Sequence, residues 1–223
     1  MRQWTARLAA ATLLALATAV GPARADPESY EYRVVHPTYG DIGTYVNVVD
    51  RLGDDTEVRT ELKIRVRILG ITVYRQEAQR VERWRGQALL AFDGVTVTNG
   101  DRLEVHGAAR DGGFAITTAS GTLMAPGNVH PTNPWSAMVL NSDVIMSTRT
   151  GKVAPARVSG GEVMPVALDG MTFRAHQYEI ASFKTHLVWL SDDGTPVAFR
   201  TTEEGAPIDF LLNRRQQLSA GSR

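Results

Sequence analysis

Apolar and polar residues alternate along most of this chain with a period of two, which is the period of a β-strand. The clearest example is residues 56–68, where a charged residue occupies every odd-numbered position. The other face of this segment carries Val58, Leu62, Ile64, Val66 and Ile68. Because successive side chains of a strand point to opposite faces, the pattern predicts one long strand with an apolar face toward a core and a charged face toward water.

Shorter runs of the same kind predict further strands, separated by turn sequences. Asn99-Gly100 and Asp111-Gly112 are typical of tight hairpins, and Ser159-Gly160-Gly161 reads as another turn. Residues 75–83 carry polar side chains on both faces, which leaves a surface helix open as an alternative to the strand that we favour. The predicted strands cover residues 30–35, 40–49, 56–68, 71–84, 88–92, 152–158, 162–168, 172–180, 185–190, 197–202 and 208–212.

Short strands with turns at regular spacing indicate an antiparallel sandwich or barrel. We therefore expect an all-β, mainly antiparallel fold, built as a single strongly curved sheet or half-open barrel with one short helix or loop as a plug. Residues 26–213 are expected to form this one domain, and residues 214–223 a flexible C-terminal tail.

One segment, residues 125–135, interrupts the strand pattern with three prolines, two asparagines and a glycine. Pro134 suits the first turn of a short helix that runs through Trp135 and Leu140, with Asn133 as its N-cap. Such a stiff loop ending in a large aromatic residue is either a lid over a cavity or a plug that closes the open end of a barrel. The sequence does not distinguish the two.

The first 25 residues have the three parts of a secretory signal peptide: early arginines, an apolar run and an A-x-A site at Ala23-Arg24-Ala25. The apolar run extends over residues 8–20, which is shorter than the roughly 20 residues that span a bilayer. We expect cleavage between Ala25 and Asp26, a periplasmic or secreted product, and no transmembrane segment after cleavage.

The composition of the chain excludes several kinds of functional site. The chain has no cysteine, which excludes disulfides, thiolate nucleophiles and thiolate metal sites. The 24 Lys and Arg residues balance the 24 Asp and Glu residues, so no basic field favours nucleic acid. No glycine-rich phosphate-binding motif opens a helix, so we expect no nucleotide and no other cofactor. Five scattered histidines include only one pair, His176 and His186, that a hairpin register could bring together, and we expect no metal site.

Two groups of residues are candidates for a functional site. His36, Tyr39 and Asp41 place an imidazole, a phenol and a carboxylate within six residues, enough for acid–base catalysis if they converge. The alternative, which we favour, is a proline-containing turn between two strands. Large aromatic residues on neighbouring elements are candidates to bind an apolar ligand: Trp84, Phe92, Trp135, Trp189 and Phe199.

Several segments of the mature chain resemble a family of uncharacterised exported bacterial proteins, a domain of unknown function. They are YEY (30–32), HPTYGDIG (36–43), ERWRG (82–86), TNG (98–100), NPW (133–135) and VWLSDDGTPVAF (188–199). This resemblance implies no catalytic residue. More distantly, the order of long strands followed by W-L-x-x-x-G-x-P is similar to the half-open β-barrels of periplasmic lipoprotein carriers, an architecture that hosts both ligand carriers and an enzyme.

The leading hypothesis is an exported protein that binds a lipid or another apolar ligand in the concave face of a curved sheet. One alternative is a cell-envelope enzyme with an acid–base site around His36 and Asp41, which we favour less than a binding protein. Another is a structural or partner-binding envelope protein, which predicts an exposed apolar patch. No protein partner is indicated by the sequence.

Overall fold

The computed structural model describes residues 26–168, 170–203 and 205–219, and the predicted signal segment lies outside them. Sixteen strands occupy most of these ranges. They are β1 (Glu28–His36), β2 (Gly40–Leu52), β3 (Asp55–Ile68), β4 (Ile71–Arg85), β5 (Ala88–Thr98), β6 (Asp101–Arg110), β7 (Gly113–Thr118), β8 (Gly121–Ala125), β9 (His130–Pro131), β10 (Val144–Met146), β11 (Val153–Pro155), β12 (Arg157–Leu168), β13 (Met171–Ala181), β14 (Thr185–Leu190), β15 (Pro196–Glu203) and β16 (Ala206–Gln217).

Thirteen of the strands form one antiparallel sheet in the order β12-β13-β14-β15-β16-β1-β2-β3-β4-β5-β6-β7-β8. Nearly every neighbour in this sheet is also a neighbour in the sequence, and the exception is β16, which pairs with β1 from the far end of the chain. The sheet is strongly curved and does not close, because β12 and β8 remain its two edges. The predicted fold class, an open curved sheet of antiparallel strands, is confirmed.

The alternation that predicted β3 is also its burial pattern. Val58, Leu62, Ile64 and Val66 are buried, whereas the charged residues on the opposite face are exposed or half-buried. Strand β4 runs without a break from Ile71 to Arg85, so the polar stretch at 75–83 is a strand and not a surface helix. Both long strands form the middle of one side of the curved sheet.

The segment between β8 and β12 packs on the concave side of this sheet. It forms a small sheet in the order β11-β10-β9 and a short 3₁₀ helix at Ala137–Asn141. Side chains of this segment belong to the main core: Val129, Trp135, Val139, Ile145 and Met146. The interrupted stretch of sequence therefore fills the inside of the curve.

Three details differ from the sequence predictions. The helix is a 3₁₀ turn capped by Ser136 and not by Asn133, whose side chain bonds elsewhere. Gly160-Gly161 is a bulge inside β12, at positive φ angles of 93° and 114°, and not a turn between two strands. Residues 214–217 are part of β16 and not of a tail, because they pair with β1, a partner that local sequence cannot reveal. The last four residues of the predicted tail, 220–223, lie outside the described residues.

Candidate functional site

A cavity of about 1010 Å³ lies on the concave side, between the sheet and the inserted segment. Strands from both halves of the sheet contribute to its wall, since Ile64 on β3 and Phe199 on β15 both line it. Tyr39, Val73 and Phe183 also line it and are 43–49% exposed, so they mark its mouth. The cavity therefore extends from solvent into the core of the curved sheet.

The apolar part of the wall is built from side chains that the strand alternation turns inward. Phe199 and Phe210 stack with ring centroids 4.3 Å apart, and Tyr45 meets each of them edge-on at 5.3 and 5.4 Å. Further apolar residues line the same space: Ile42, Leu62, Ile64, Val66, Val139, Ile145, Ile180, Val188 and Ile208. Such a wall suits apolar groups of a ligand.

A buried carboxylate lies in the core between the sheet and the inserted segment. Glu82 is 0% exposed. Its Oε2 accepts hydrogen bonds from the indole Nε1 atoms of Trp84 at 3.0 Å and Trp135 at 3.1 Å. Its Oε1 accepts one from the side-chain amide of Asn133 at 2.8 Å. Because three N–H donors surround it, this carboxylate is satisfied without a cation in direct contact.

Asn133 uses its whole side-chain amide in the same network. Its Nδ2 donates to Glu82 and to Thr60 Oγ1 at 3.0 Å. Its Oδ1 accepts from the hydroxyl of Tyr45 at 2.5 Å and from Asn47 Nδ2 at 3.3 Å. Thr60 in turn donates to Asn47 Oδ1 at 2.7 Å. The network joins β2, β3 and β4 to the inserted loop and fixes the loop's position inside the sheet.

Burial shifts the protonation of this region. It raises the pKa of Glu82 to about 7, although the three N–H donors favour the ionised carboxylate. It raises the pKa of the Tyr45 phenol well above its usual value, so this hydroxyl stays protonated and donates. It lowers the pKa of His130, whose ring lies 4.5 Å from that of Trp84, to about 4. His130 is therefore neutral at pH 7.

Arg80 lies two residues before Glu82 on the same face of β4. Its side chain lines the cavity, it is only 8% exposed, and its Nε has no hydrogen-bond partner. Burial lowers its pKa, yet an arginine remains protonated in proteins. The polar network thus ends at a buried cation that faces the cavity.

The three acid–base candidates do not converge. His36 and Tyr39 both line the mouth of the cavity, with ring centroids 4.6 Å apart. His36 Nδ1 accepts a hydrogen bond from the backbone N–H of Thr38 within the turn. Asp41 instead accepts from the N–H of Gly43 and lies 3.9 Å from Arg33, which alternates with the cavity-side residues of β1. The imidazole and the carboxylate therefore face opposite sides of the sheet, and this segment is a turn.

The five aromatic candidates occupy four different environments. Phe199 lines the large cavity. Trp84 and Phe92 are almost fully buried in the main core. Trp135 is 6% exposed and borders a smaller pocket of about 300 Å³ near Tyr30. Trp189 belongs to a second cluster, with Ala198 and Leu211, on the other side of the sheet from Val188.

The inserted loop at 125–135 is a plug. Trp135 is buried and bonded to Glu82, and Asn133 is 2% exposed and bonded to four side chains. Neither arrangement leaves the loop free to swing as a lid. The sequence contained a signal that we did not use: positions 76, 78, 80, 82 and 84 share one face of β4, so Arg80 and Glu82 lie on the same face as Trp84.

The histidine pair is separated by the register of the β13–β14 hairpin. His176 lies opposite Leu190, and His186 lies opposite Ile180. His176 Nε2 is 3.2 Å from the carboxylate of Asp192, which is fully in solvent. Within the part of the chain that the structure describes, no group of three or more His, Asp or Glu side chains could hold a metal ion.

Comparisons with known proteins identify the family and the fold. Residues 32–213 match the family described as Domain of unknown function (DUF6134), and the chain belongs to this family. No curated protein matches the chain. The chain is similar to the beta-barrel-like protein of domain of unknown function DUF1849 from Brucella abortus, with a TM-score of 0.65 and 11% identity over 87% of this chain and 99% of that one. At this identity the likeness concerns the fold. Among the described residues, no helix has the length and apolar character needed to cross a membrane.

Proposed function

We propose that this member of the DUF6134 family is an exported protein that binds an apolar or amphipathic ligand, such as a lipid or acyl chain, in the cavity on its concave side. The observation that carries the proposal is the cavity itself, with a volume of about 1010 Å³ and an apolar wall. Ligand pockets in proteins typically measure about 300 to 1,000 Å³ and are lined mainly by apolar and aromatic side chains.

The size of the cavity argues against a simple packing defect. Protein interiors are close-packed, and voids much larger than a water molecule are few. Here, aromatic side chains such as Phe199 and Phe210 face an open space. An apolar ligand would remove this surface from water and restore packing contacts.

The compartment is part of the same proposal. The n-region, apolar run and A-x-A site of residues 1–25 support export to the periplasm. Mass spectrometry of the protein recovered from a bacterial periplasmic fraction tests it, and a first residue of Asp26 is the expected result. A chain that stays in the cytoplasm with its first 25 residues intact would contradict it.

Ligand binding is tested first by native mass spectrometry of the protein purified from the periplasm, followed by denaturing extraction with solvent. The expected result is a discrete extra mass that extracts as a lipid. A clean unliganded mass that persists after incubation with total membrane lipid would contradict the proposal.

A matched pair of variants locates the bound molecule. Thr201 lines the cavity and its neighbour Thr202 does not, because adjacent residues of β15 face opposite sides. Thr201→Trp fills the cavity and should abolish the extra mass, whereas Thr202→Trp should leave it. Equal retention by both variants would place the ligand elsewhere.

A second candidate function, contact with another component of the cell envelope, is favoured by one surface. The β3–β4 hairpin projects beyond its neighbours as a ribbon over residues 65–74. At its tip Leu69 is 98% and Ile71 70% exposed, and the ribbon carries two arginines and no acidic residue. Leu69 also has a positive φ of 53°, a conformation that Asn adopts far more easily than Leu. The geometry of the turn therefore does not explain why a leucine occupies position 69.

The Leu69→Asn variant tests that candidate. It keeps the turn and removes the apolar tip, so the fold should be at least as stable as the wild type. The expected result is weaker cosedimentation with phosphatidylglycerol vesicles. The control, Met124→Asn, changes another exposed apolar residue, away from the hairpin. Unchanged cosedimentation of Leu69→Asn would remove the hairpin from consideration as a membrane contact.

A further inference from the structure

The charge of the cavity differs from that of the chain. Formal positive and negative charges balance over the full sequence. The side chains that line the cavity, however, include four Lys and Arg residues and one acidic residue, Glu203. The four are Arg80, Arg149, Lys152 and Lys184, whereas the Arg200 side chain lies over Trp189 on the other side of the sheet. This excess of positive charge favours a ligand that carries a negative charge.

Only one of these cations is both buried and without an acidic partner. Lys184 pairs with Glu203 at 2.8 Å. Arg149 and Lys152 are exposed to water near the mouth. Arg80 is buried, and no carboxylate of the described residues lies within salt-bridge distance of its guanidinium.

The nearest acid does not satisfy Arg80. Both oxygens of Glu82 accept from the N–H groups of Trp84, Trp135 and Asn133, and Glu82 forms no salt bridge with the guanidinium. The Tyr45 hydroxyl lies beside the guanidinium, and its oxygen can accept from it while its proton is donated to Asn133. The Nε of Arg80 is left without any partner. Because a buried donor without an acceptor is unfavourable and no carboxylate forms a salt bridge with the guanidinium, the protein alone leaves this cation incompletely satisfied.

We propose that the cavity binds an amphiphile with an anionic head group, a carboxylate or a phosphate, and that the Arg80 guanidinium binds this head group. This inference rests on the proposed function, since it names the ligand class of the same cavity. The planar guanidinium presents paired N–H donors that match the oxygens of carboxylate and phosphate groups. The apolar chain then lies along Ile64, Phe199 and Phe210 and points toward the mouth at Tyr39 and Val73.

The binding experiment compares three probes with the same twelve-carbon chain: dodecanoate, dodecyl phosphate and dodecanol. Binding to the wild-type protein after delipidation is measured by calorimetry. The anionic probes should bind about ten- to a hundredfold more tightly than dodecanol, the range expected for hydrogen bonds to a charged group. The tighter of the two anionic probes indicates whether a fatty acid or a phospholipid is the better model of the natural ligand.

Variants assign the preference to Arg80. Arg80→Gln should bind all three probes with similar affinity, and Arg80→Lys should recover part of the preference. The control, Arg83→Gln, removes an exposed arginine from the opposite face of the same strand and should keep the full preference. Lys152→Gln removes a cation at the mouth and should also keep it.

A direct spectroscopic measurement does not depend on a variant that folds. The Arg80 Nε–H resonance should shift when dodecanoate is added to the wild-type protein and should not shift with dodecanol. The outcomes are distinguishable. If no probe binds, the proposed function and this inference both fail. If all three bind equally, or if Lys152→Gln alone removes the preference, the cavity binds amphiphiles but Arg80 does not hold the head group.

Discussion

Two charged side chains on the same face of β4, Glu82 and Arg80, are both buried but differ in how the protein satisfies them. Glu82 accepts hydrogen bonds from three N–H groups and holds the inserted loop against the sheet. Arg80 faces the cavity with an Nε that has no partner. Glu82 is 0% and Arg80 8% exposed, so both are buried, and the difference lies in the partners that each side chain has.

The comparison distinguishes buried polar groups that stabilise the fold from buried polar groups that are available to bind a ligand. A buried polar group whose partners all come from the protein fixes the fold, and its removal should weaken folding. A buried polar group that the protein leaves incomplete is available for a ligand, and its removal should change binding more than folding. The following predictions test this distinction at both ends of the network.

The largest effect is expected at Asn133, whose side chain makes four hydrogen bonds in the network. Asn133→Ala should lower the free energy of unfolding by about 3 to 5 kcal/mol, because it leaves Glu82 Oε1, the Tyr45 hydroxyl proton and Asn47 Nδ2 without their partner. Urea denaturation measures it. The control is Asn128→Ala, an exposed asparagine bonded to Asp143, with an expected effect of about 0.5 kcal/mol. Equal effects would mean that the network does not hold the plug.

Glu82 should give the folded state a characteristic pH dependence. Its pKa is about 7 in the folded protein and 4.5 as a reference for the unfolded chain. Between these values the folded state retains a proton that the unfolded state loses, so this contribution to stability is complete below pH 4.5 and is lost as the pH rises through 7. The change is about 3 kcal/mol in total.

The difference in the free energy of unfolding between the wild type and Glu82→Gln, measured from pH 4 to 8, isolates the contribution of Glu82. Relative to the variant, the wild type should lose stability as the pH rises. A flat difference would show that Glu82 has an ordinary pKa in the folded state.

His130 should contribute with the opposite sign. Its pKa falls from 6.5 to about 4 on burial, so its contribution is present above pH 6.5 and is lost as the pH falls through 4. Relative to His130→Phe, the wild type should therefore gain stability between pH 4 and 6.5. Because the two terms oppose each other, the wild type should vary less with pH than either variant. If the stability of the wild type varied more steeply with pH than that of both variants, the contributions of Glu82 and His130 would not oppose each other.

Removal of a single donor to Glu82 should have a smaller effect. Trp135→Phe keeps the aromatic ring in the plug but loses one N–H, and Glu82 Oε2 still accepts from Trp84. The expected loss is about 1 to 2 kcal/mol in thermal or chemical denaturation. Trp189→Phe, which removes an indole donor to Gln177 on the other side of the sheet, is the comparison and should cost no more than about 1 kcal/mol. A larger loss at Trp189 would reverse the expected order.

The smallest effect on folding is expected at Arg80. Arg80→Met replaces an unpaired buried cation by an apolar chain of similar length, a change that is often neutral or stabilising, so stability should stay within about 1 kcal/mol of the wild type or rise. Chemical denaturation of the delipidated protein measures it. A loss as large as that of Asn133→Ala would show that Arg80 is structural, and the contrast with Glu82 would disappear.

Particular residues show how far sequence reasoning reached. The alternation at Val58, Leu62 and Ile64 predicted β3 and its buried face, because a period of two is a property of the extended backbone itself. The Asn99-Gly100 turn was likewise predicted from two adjacent residues. Gly160-Gly161 was read as a turn although it forms a bulge, since two glycines permit either conformation. The end of β16 was missed because its partner, β1, lies almost two hundred residues away.

The sequence predicted less of the candidate site than of the fold. His36 and Asp41 are five residues apart, yet strand geometry directs them to opposite sides of the sheet. The aromatic candidates share a residue type but not a location, because Phe199 faces the cavity and Trp189 faces away from it. The sequence did not indicate the roles of Arg80 and Glu82, and it predicted Asn133 only as a helix N-cap, since the roles of these three residues arise from one another.

The sequence by itself determined the class of the fold, since strand periodicity and turn chemistry are encoded within a few neighbouring residues. Only the tertiary structure decided that the loop at 125–135 is a plug, that a cavity of about 1010 Å³ remains beside it, and that Arg80 faces this cavity. The physical reason is that the curvature of the sheet brings β3 and β15 together around a segment from the middle of the chain. Which polar groups are satisfied in the curved sheet depends on distances between residues far apart in sequence.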